Sequence, residues 1–343
     1  MTIYFFAVFI STLILSVLIT FVIKQIAAKL RIVDQPDKSR KIHKVAVPLL
    51  GGVAVFFSYF IALYFTSDEV MARGLIWPQI IGFTGGGLLL IIGGFLDDKF
   101  NLKPQWQVIF PLLAGVTIVL SGIVIEKITN PFGSLLFFGA TASTLLTLFW
   151  ILGMMYTTKL LDGIDGLVAG LGVISGFIIF LFTITTKYYQ PDVGLMALIF
   201  SAACLGFLFF NFYPAKIFLG ESGSLLIGYI IGVLAIISGG KIAIALLIMG
   251  IPMMDVIFTI VRRLYAGKNP FQYSDRKHLH HRFLDMGLSQ RQTVLIYYLL
   301  AIIFGATALF LQSQGKVVAL GILVIVMVVL VYLSILIPKK YNI

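Results

Sequence analysis

Apolar stretches of about the length needed to cross a bilayer recur along almost the whole of this 343-residue chain. They lie at about 3–23, 49–66, 77–96, 106–124, 141–158, 166–186, 194–211, 222–238, 242–262, 292–313 and 317–337, each bounded by charges or turn residues. A spanning helix needs about 20 apolar residues, so eleven crossings joined by short connectors are expected. Composition removes the soluble alternative. The chain is 60% hydrophobic and only 11% charged, whereas an ordinary globular domain is about 25% charged. The fold class expected is all-α: a polytopic integral membrane protein with about 11 transmembrane helices forming one domain over 1–343. This excludes a large water-soluble catalytic domain. The first run has no basic segment before it and no small-residue cleavage site, so it is expected to be a retained helix. With Cys204 the single cysteine, no intramolecular disulfide can form.

Eleven crossings put the termini on opposite sides, and basic residues concentrate on the cytoplasmic side of membrane proteins. The connectors on one side, including 24–48, 97–105, 156–165, 212–221 and 263–291, carry twenty of the 25 Lys and Arg; the other side carries Arg73, Lys127, Lys187, Lys241 and Lys316. The N-terminus is therefore expected outside and the C-terminus inside, with the basic connectors forming one cytoplasmic face of a cell membrane protein. The net charge of +11 suits anionic lipid or phosphorylated substrates. Nucleic acid is not expected as a partner, because the basic residues do not form a patch on a soluble fold. Glycines four apart, such as Gly82 and Gly86 or Gly228 and Gly232, are read as helix contacts in lipid.

Fourteen carboxylates are present, and six of those on the basic side sit at or inside helix ends: Asp97, Asp98, Asp162, Asp165, Glu221 and Asp255. Ionised groups next to hydrocarbon cost several kcal/mol and are functional candidates by default. Asp97 and Asp98 are adjacent and repel one another, a repulsion that a divalent cation or a shared proton relieves. Asp162 and Asp165, three apart, would share a face on a helical turn, and each is followed by a glycine that admits a close ligand. Such hard oxygen groups suit a cation or a phosphate site. Glu221 precedes Ser222 at a helix N-terminus, where backbone N–H groups favour anions; simple capping explains it equally well. Asp255 lies seven residues before Arg262, about 10 Å along a helix, and a break at Pro252 would open it to a cavity.

Two basic connectors add histidines. One holds Arg40, Lys41, His43 and Lys44; the other holds His278, His280, His281 and Arg282. This mixture suits phosphate oxygens better than zinc, which normally shows cysteines or wider ligand spacing. Carboxylates able to hold Mg²⁺, basic loops on the same side and a lipid-facing scaffold are the parts for moving a phosphorylated group from a nucleotide to a lipid, a reaction that asks mainly for positioning and charge neutralisation. A transporter or lipid flippase and an intramembrane aspartyl protease are the competing classes. Transport routes place ionisable groups near the midplane of repeated halves, and no repeat is visible here.

The motifs Arg40–Lys44 through Gly51-Gly52, Phe95-Leu96-Asp97-Asp98, Asp162-Gly163-Ile164-Asp165-Gly166, Asn211 with Pro214-Ala215, Phe218–Ser224, Pro252–Asp255 and His278-Leu279-His280-His281-Arg282 resemble those of the polyprenyl-phosphate N-acetylhexosamine-1-phosphate transferases, in the same order. The resemblance implies transfer of an N-acetylhexosamine 1-phosphate from a UDP-sugar to a polyprenyl phosphate, with release of UMP and use of Mg²⁺ or Mn²⁺. It implies that Asp97 orients or deprotonates the lipid phosphate, and that Asp98, Glu221 and Asp165 serve the metal. Asp162 and Asp165 hold the nucleotide and metal region, Phe218 stacks on uracil beside Asn211, and the His278–Arg282 loop grips the diphosphate or sugar. The His-Leu-His-His-Arg form is more similar to members using UDP-N-acetylglucosamine than to those using the muramoyl-pentapeptide nucleotide. A homodimer is an admissible assembly. Two features depart from the family pattern: Tyr156 and Lys159 stand where asparagines are usual, and Glu221 stands where aspartate is usual. Lys159 is expected to neutralise the carboxylates or to contact the diphosphate.

Overall fold

A computed structural model describes residues 2–36, 45–72, 74–131, 133–185, 189–239, 241–267 and 278–336. In chain order its helices are α1 (Thr2–Lys29), α2 (Gly51–Phe65), a short α3 (Ser67–Met71), α4 (Trp77–Phe100), α5 (Pro104–Gln107), α6 (Ile109–Leu120), α7 (Ala140–Leu161), α8 (Leu167–Thr185), α9 (Pro191–Asn211), α10 (Gly220–Ile237), α11 (Ile242–Tyr265), α12 (Leu279–Asp285), α13 (Gln290–Phe310) and α14 (Ser313–Leu336). Nine helices among the described residues are long and apolar enough to cross a membrane; the apolar helices at Gly51–Phe65 and Pro104–Leu120 are shorter. All eleven expected runs are thus helical and in the expected order, but two of them fall short of a full crossing. At 1.5 Å per residue the 15-residue α2 reaches about 22 Å, less than the hydrocarbon core.

The helix ends follow local chemistry. Pro78 and Pro191 stand in first turns, where a missing N–H costs nothing. Ser289 and Gln292 cap the start of α13 reciprocally. Two antiparallel strand pairs were not foreseen: β1 (Val33–Asp34) with β2 (Val47–Pro48), and β3 (Lys127–Thr129) with β4 (Leu135–Phe137). The helix at Pro252 is likewise unbroken, since α11 continues through it. Asp255 is buried within that continuous helix and is not opened to a cavity by a break.

The interior is largely apolar, but α1 packs inside out relative to a helix of a soluble protein. On α1 the inward stripe is Thr12, Ser16 and Thr20, while Phe6, Ile14, Leu18 and Phe21 face outward. Small polar residues let backbones approach and hydrogen-bond in lipid, where apolar surface gives helices no reason to associate. Ser16 accordingly donates to the Ala203 carbonyl of α9 at 2.6 Å. α10 is the most enclosed helix, and glycines surround it. Gly94 of α4 lies against Ser222, Gly52 of α2 against Gly223, and Gly228 against Met154 and Thr158 of α7. Trp150 donates to the Gly232 carbonyl at 3.0 Å, and the Tyr229 hydroxyl donates to the Phe83 carbonyl at 2.9 Å. These contacts fix the start of α10 beside the ends of α4 and α7, where the carboxylates converge.

Candidate active site

Asp97 and Asp98 close α4, and the helix steers them to different neighbours. Asp97 folds back over the helix end. Its Oδ1 accepts from the Leu102 amide at 2.8 Å, and the Gln107 side chain donates to its two oxygens at 3.0 and 3.2 Å. Asp98 turns toward α10, where its Oδ1 accepts from the Glu221 backbone N–H at 3.1 Å. Its other oxygen, Oδ2, is buried and has no hydrogen-bond partner among the described residues. The adjacent carboxylates are therefore separated by geometry. A β-carbon on Gly220, whose φ is 72°, would press into the Asp98 carboxylate, so glycine serves both the left-handed backbone and the close approach.

Lys159 stands in the last turn of α7. Its ammonium pairs with the Glu221 carboxylate, donates to Gln107 Oε1 at 3.2 Å and lies 5.8 Å from the centre of the Tyr156 ring. The three departures from the family pattern are thus mutual neighbours. Gln107 was not singled out from the sequence, because a glutamine at the edge of an apolar run carries no signal of its own. It joins Asp97 to Lys159.

Asp162 ends α7 and senses Glu221, Asp165 and Asp98. Its carboxyl is pushed up to about 8 by enclosure first and then by those three charges. Solvent nevertheless reaches the residue, so the crowding of like charge is the part that a bound cation would reverse. Asp165 is turned toward the following loop, where Oδ2 accepts from the Ala215 amide at 2.9 Å. Asn211 is buried and acts as a clip: its oxygen accepts from the Gly166 amide at 3.1 Å and its nitrogen donates to the Ile217 carbonyl at 2.9 Å. It thereby ties the Asp-Gly turn to the segment bearing Phe218, which is half-buried. That segment is laced to the start of α2, with Phe218 donating to the Pro48 carbonyl at 2.8 Å and Gly51 donating to Phe218 at 2.9 Å.

Asp255 organises α12. Its Oδ1 accepts from the Leu279 amide at 2.9 Å, and its Oδ2 lies 3.0 Å from His278 Nδ1. Asp255, a substrate-binding candidate from the sequence, thus has both oxygens on the first residues of the His278–Arg282 segment. His278 and His280 stack at 5.6 Å. A β-carbon on Gly163 would lie 2.6 Å from His280 Nε2, which puts this imidazole directly on the Asp162-Gly163 turn. Burial, with His281 and His278 next, holds the His280 pKa well below the usual histidine range, so the ring is neutral. Arg282 donates to Ser334 of α14 at 3.3 Å, and His281 packs beside His280 at 4.3 Å. Arg40, Lys41, His43 and Lys44 lie outside the described residues.

Among the described residues no three His, Cys, Asp or Glu side chains form a ready-made metal cage. Of the expected ligand set, Asp98 accepts from the Glu221 amide, Glu221 pairs with Lys159 and Asp165 accepts from the Ala215 amide. What is present suits a hard cation of incomplete protein coordination. The donors are carboxylate oxygens, one of them the unmatched Asp98 Oδ2, and Mg²⁺ commonly takes one or two carboxylates and completes its shell with water and substrate phosphate.

Residues 80–239 match the model of glycosyl transferase family 4. The chain is 34% identical to a probable undecaprenyl-phosphate N-acetylglucosaminyl 1-phosphate transferase of Bacillus subtilis, over 97% of this chain and 93% of that protein. It belongs to glycosyl transferase family 4. A decaprenyl-phosphate N-acetylglucosaminephosphotransferase of Mycolicibacterium smegmatis is 30% identical over 87% of this chain and 81% of its own length. An undecaprenyl-phosphate alpha-N-acetylglucosaminyl 1-phosphate transferase of Escherichia coli is 29% identical over 85% and 80%. As a family 4 glycosyl transferase, the protein carries Asp97, Asp98, Asp162, Asp165 and Glu221 within the matched region, while α12 lies beyond it.

Proposed function

We propose that this family 4 glycosyl transferase moves N-acetylglucosamine 1-phosphate from UDP-N-acetylglucosamine to undecaprenyl phosphate, or to a close polyprenyl relative, and releases UMP. One observation carries the reading: the ends of α4 and α7, the start of α10 and the start of α12 bring five carboxylates, one lysine and a histidine cluster to one end of a lipid-facing bundle. The relatives' names supply the donor sugar and the acceptor lipid. In the reaction an oxygen of the lipid phosphate attacks the β-phosphorus of the donor, and the bond from that phosphorus to the bridging oxygen breaks, leaving UMP.

Each residue has work matched to its placement. Asp97, held by neutral amide donors, keeps an oriented carboxylate for the incoming lipid phosphate. Lys159 and the α12 histidines face the diphosphate and Phe218 takes the base, while Arg40, Lys41, His43 and Lys44, outside the described residues, are assigned to phosphate by their chemistry alone. Asp98, Asp162 and Glu221, with Asp165 behind them, would hold a Mg²⁺ or Mn²⁺ ion. When bound, that ion neutralises the charge of the diphosphate. The twenty-to-five division of basic residues supports a site facing the cytoplasm from the cell membrane, with the N-terminus outside and residues 1–343 acting as one domain.

A panel of UDP-sugars with undecaprenyl phosphate in detergent, scored by UMP release, tests this. UMP is expected with UDP-N-acetylglucosamine and lipid together, and loss of that activity is expected when EDTA removes the metal. Activity only with the muramoyl-pentapeptide nucleotide would reassign the donor; UMP release indifferent to lipid would overturn the reaction.

A further inference from the structure

Gln107 occupies a position between two opposite charges. Its Nε2 donates to both Asp97 oxygens and to the Leu102 carbonyl at 3.2 Å, while its Oε1 accepts from Lys159. A side-chain amide can donate to a carboxylate at one end and accept from an ammonium at the other while carrying no charge itself. Gln107 is half-buried, and the Lys159 and Glu221 side chains are only 19% and 18% exposed, so these charges interact in a partly dehydrated setting where pairing is stronger than in water. Asp97 and Lys159 are both within reach of one amide group. The Leu102 amide holds Asp97 and Glu221 holds Lys159 as well, but Gln107 is the group bonded to both.

We propose that Gln107 is a positioning residue that acts as a charge spacer: by bonding Asp97 and Lys159 at its two ends it keeps them from closing on each other, so that Asp97 stays oriented for the acceptor phosphate and Lys159 stays on Glu221 and the donor diphosphate. The inference rests on the phosphosugar-transfer reading of this site. It also gives the lysine departure a structural consequence. A cation at 159 beside the α4 carboxylates is compatible with catalysis because a neutral bridge stands between them.

A double-mutant cycle separates this role from a plain tether of the α4–α5 turn. Gln107→Leu should lower kcat/KM for the UDP-sugar by at least about tenfold, with KM raised as Lys159 is drawn away; in a Lys159→Asn background the same change should cost less than about twofold, since groups sharing one network couple by about 0.5–3 kcal/mol. Equal losses in the two backgrounds would make Gln107 a structural tether, and no loss in either would remove it from the site; both results overturn the proposal. Gln107→Glu guards against misfolding of the leucine variant. It keeps the shape but cannot donate to Asp97 at neutral pH, so near-normal turnover in that variant would also overturn the spacer. The cycle is repeated on thermal midpoints in detergent without substrate. Non-additive midpoints in a protein that transfers no phosphosugar would sink the functional reading and keep the spacer; additive midpoints together with additive kinetics would sink the spacer alone.

Discussion

Glu221 reaches Lys159 with a side chain one methylene longer than the aspartate usual in the resembled family, while its backbone N–H holds Asp98. The residue therefore contributes twice, and substitutions divide the contributions. Glu221→Gln keeps the backbone bond but removes the charge that a hard cation and Lys159 both favour. It should lose activity that added Mg²⁺ or Mn²⁺ restores only in part, whereas Glu221→Asp should retain some; full activity in the glutamine variant would place the metal elsewhere. Asp97→Asn should lower turnover by at least about 100-fold, the scale of losing an electrostatic or acid–base group, with the protein still monodisperse in detergent. Normal turnover would remove Asp97 from the reaction. The carboxylates were legible in the sequence because charge beside hydrocarbon is conspicuous at any position. Gln107 and the clipping role of Asn211 were not, because an amide's role depends on which groups meet at its two ends, and those groups come from segments 52 and 45 residues away.

At the scale of elements, the close approach of α2 to α10 is what holds the Phe218 segment at the site. A β-carbon on Gly223 would lie 2.8 Å from the Gly52 Cα, a backbone atom that cannot rotate aside, so Gly223→Ala should destabilise by about 1–3 kcal/mol and lower the thermal midpoint in detergent. Gly85→Ala is the matched control. Its β-carbon would meet only Thr117 at 3.8 Å, and no loss is expected. Asp255→Asn should weaken the joint between α11 and α12, since a buried acceptor of two bonds becomes an amide that satisfies His278 less well, at about 1–3 kcal/mol; a raised KM for the nucleotide with little change for the lipid would show that α12 serves the donor. The helices were readable because a bilayer-length apolar run has few other folded states. The β3–β4 hairpin was not, since two three-residue strands fall below any periodicity that a sequence displays. Pro252 misled for a different reason: it removes one N–H from the helix ladder, and in packed membrane helices neighbouring groups absorb that loss.

For the whole molecule, the separation of ends is the organising feature. Asp97, Lys159, Glu221 and His280 gather at one end, while the β3–β4 hairpin follows the far end of α6 and Lys241 bonds Gln190 beyond the far ends of α8 and α10. Cysteines placed at positions 38 and 268 should resist impermeant labelling from outside intact cells, with the buried native Cys204 giving little background; ready labelling would reverse the assigned orientation. In the proposed reaction a phosphosugar, and not a bare sugar, crosses to the lipid. This is tested most directly with UDP-N-acetylglucosamine labelled on the β-phosphate, undecaprenyl phosphate, Mg²⁺ and the purified protein. The label should pass into the organic phase in step with UMP in the aqueous phase, and label that stays in the aqueous phase as UDP while sugar reaches the lipid would contradict the account.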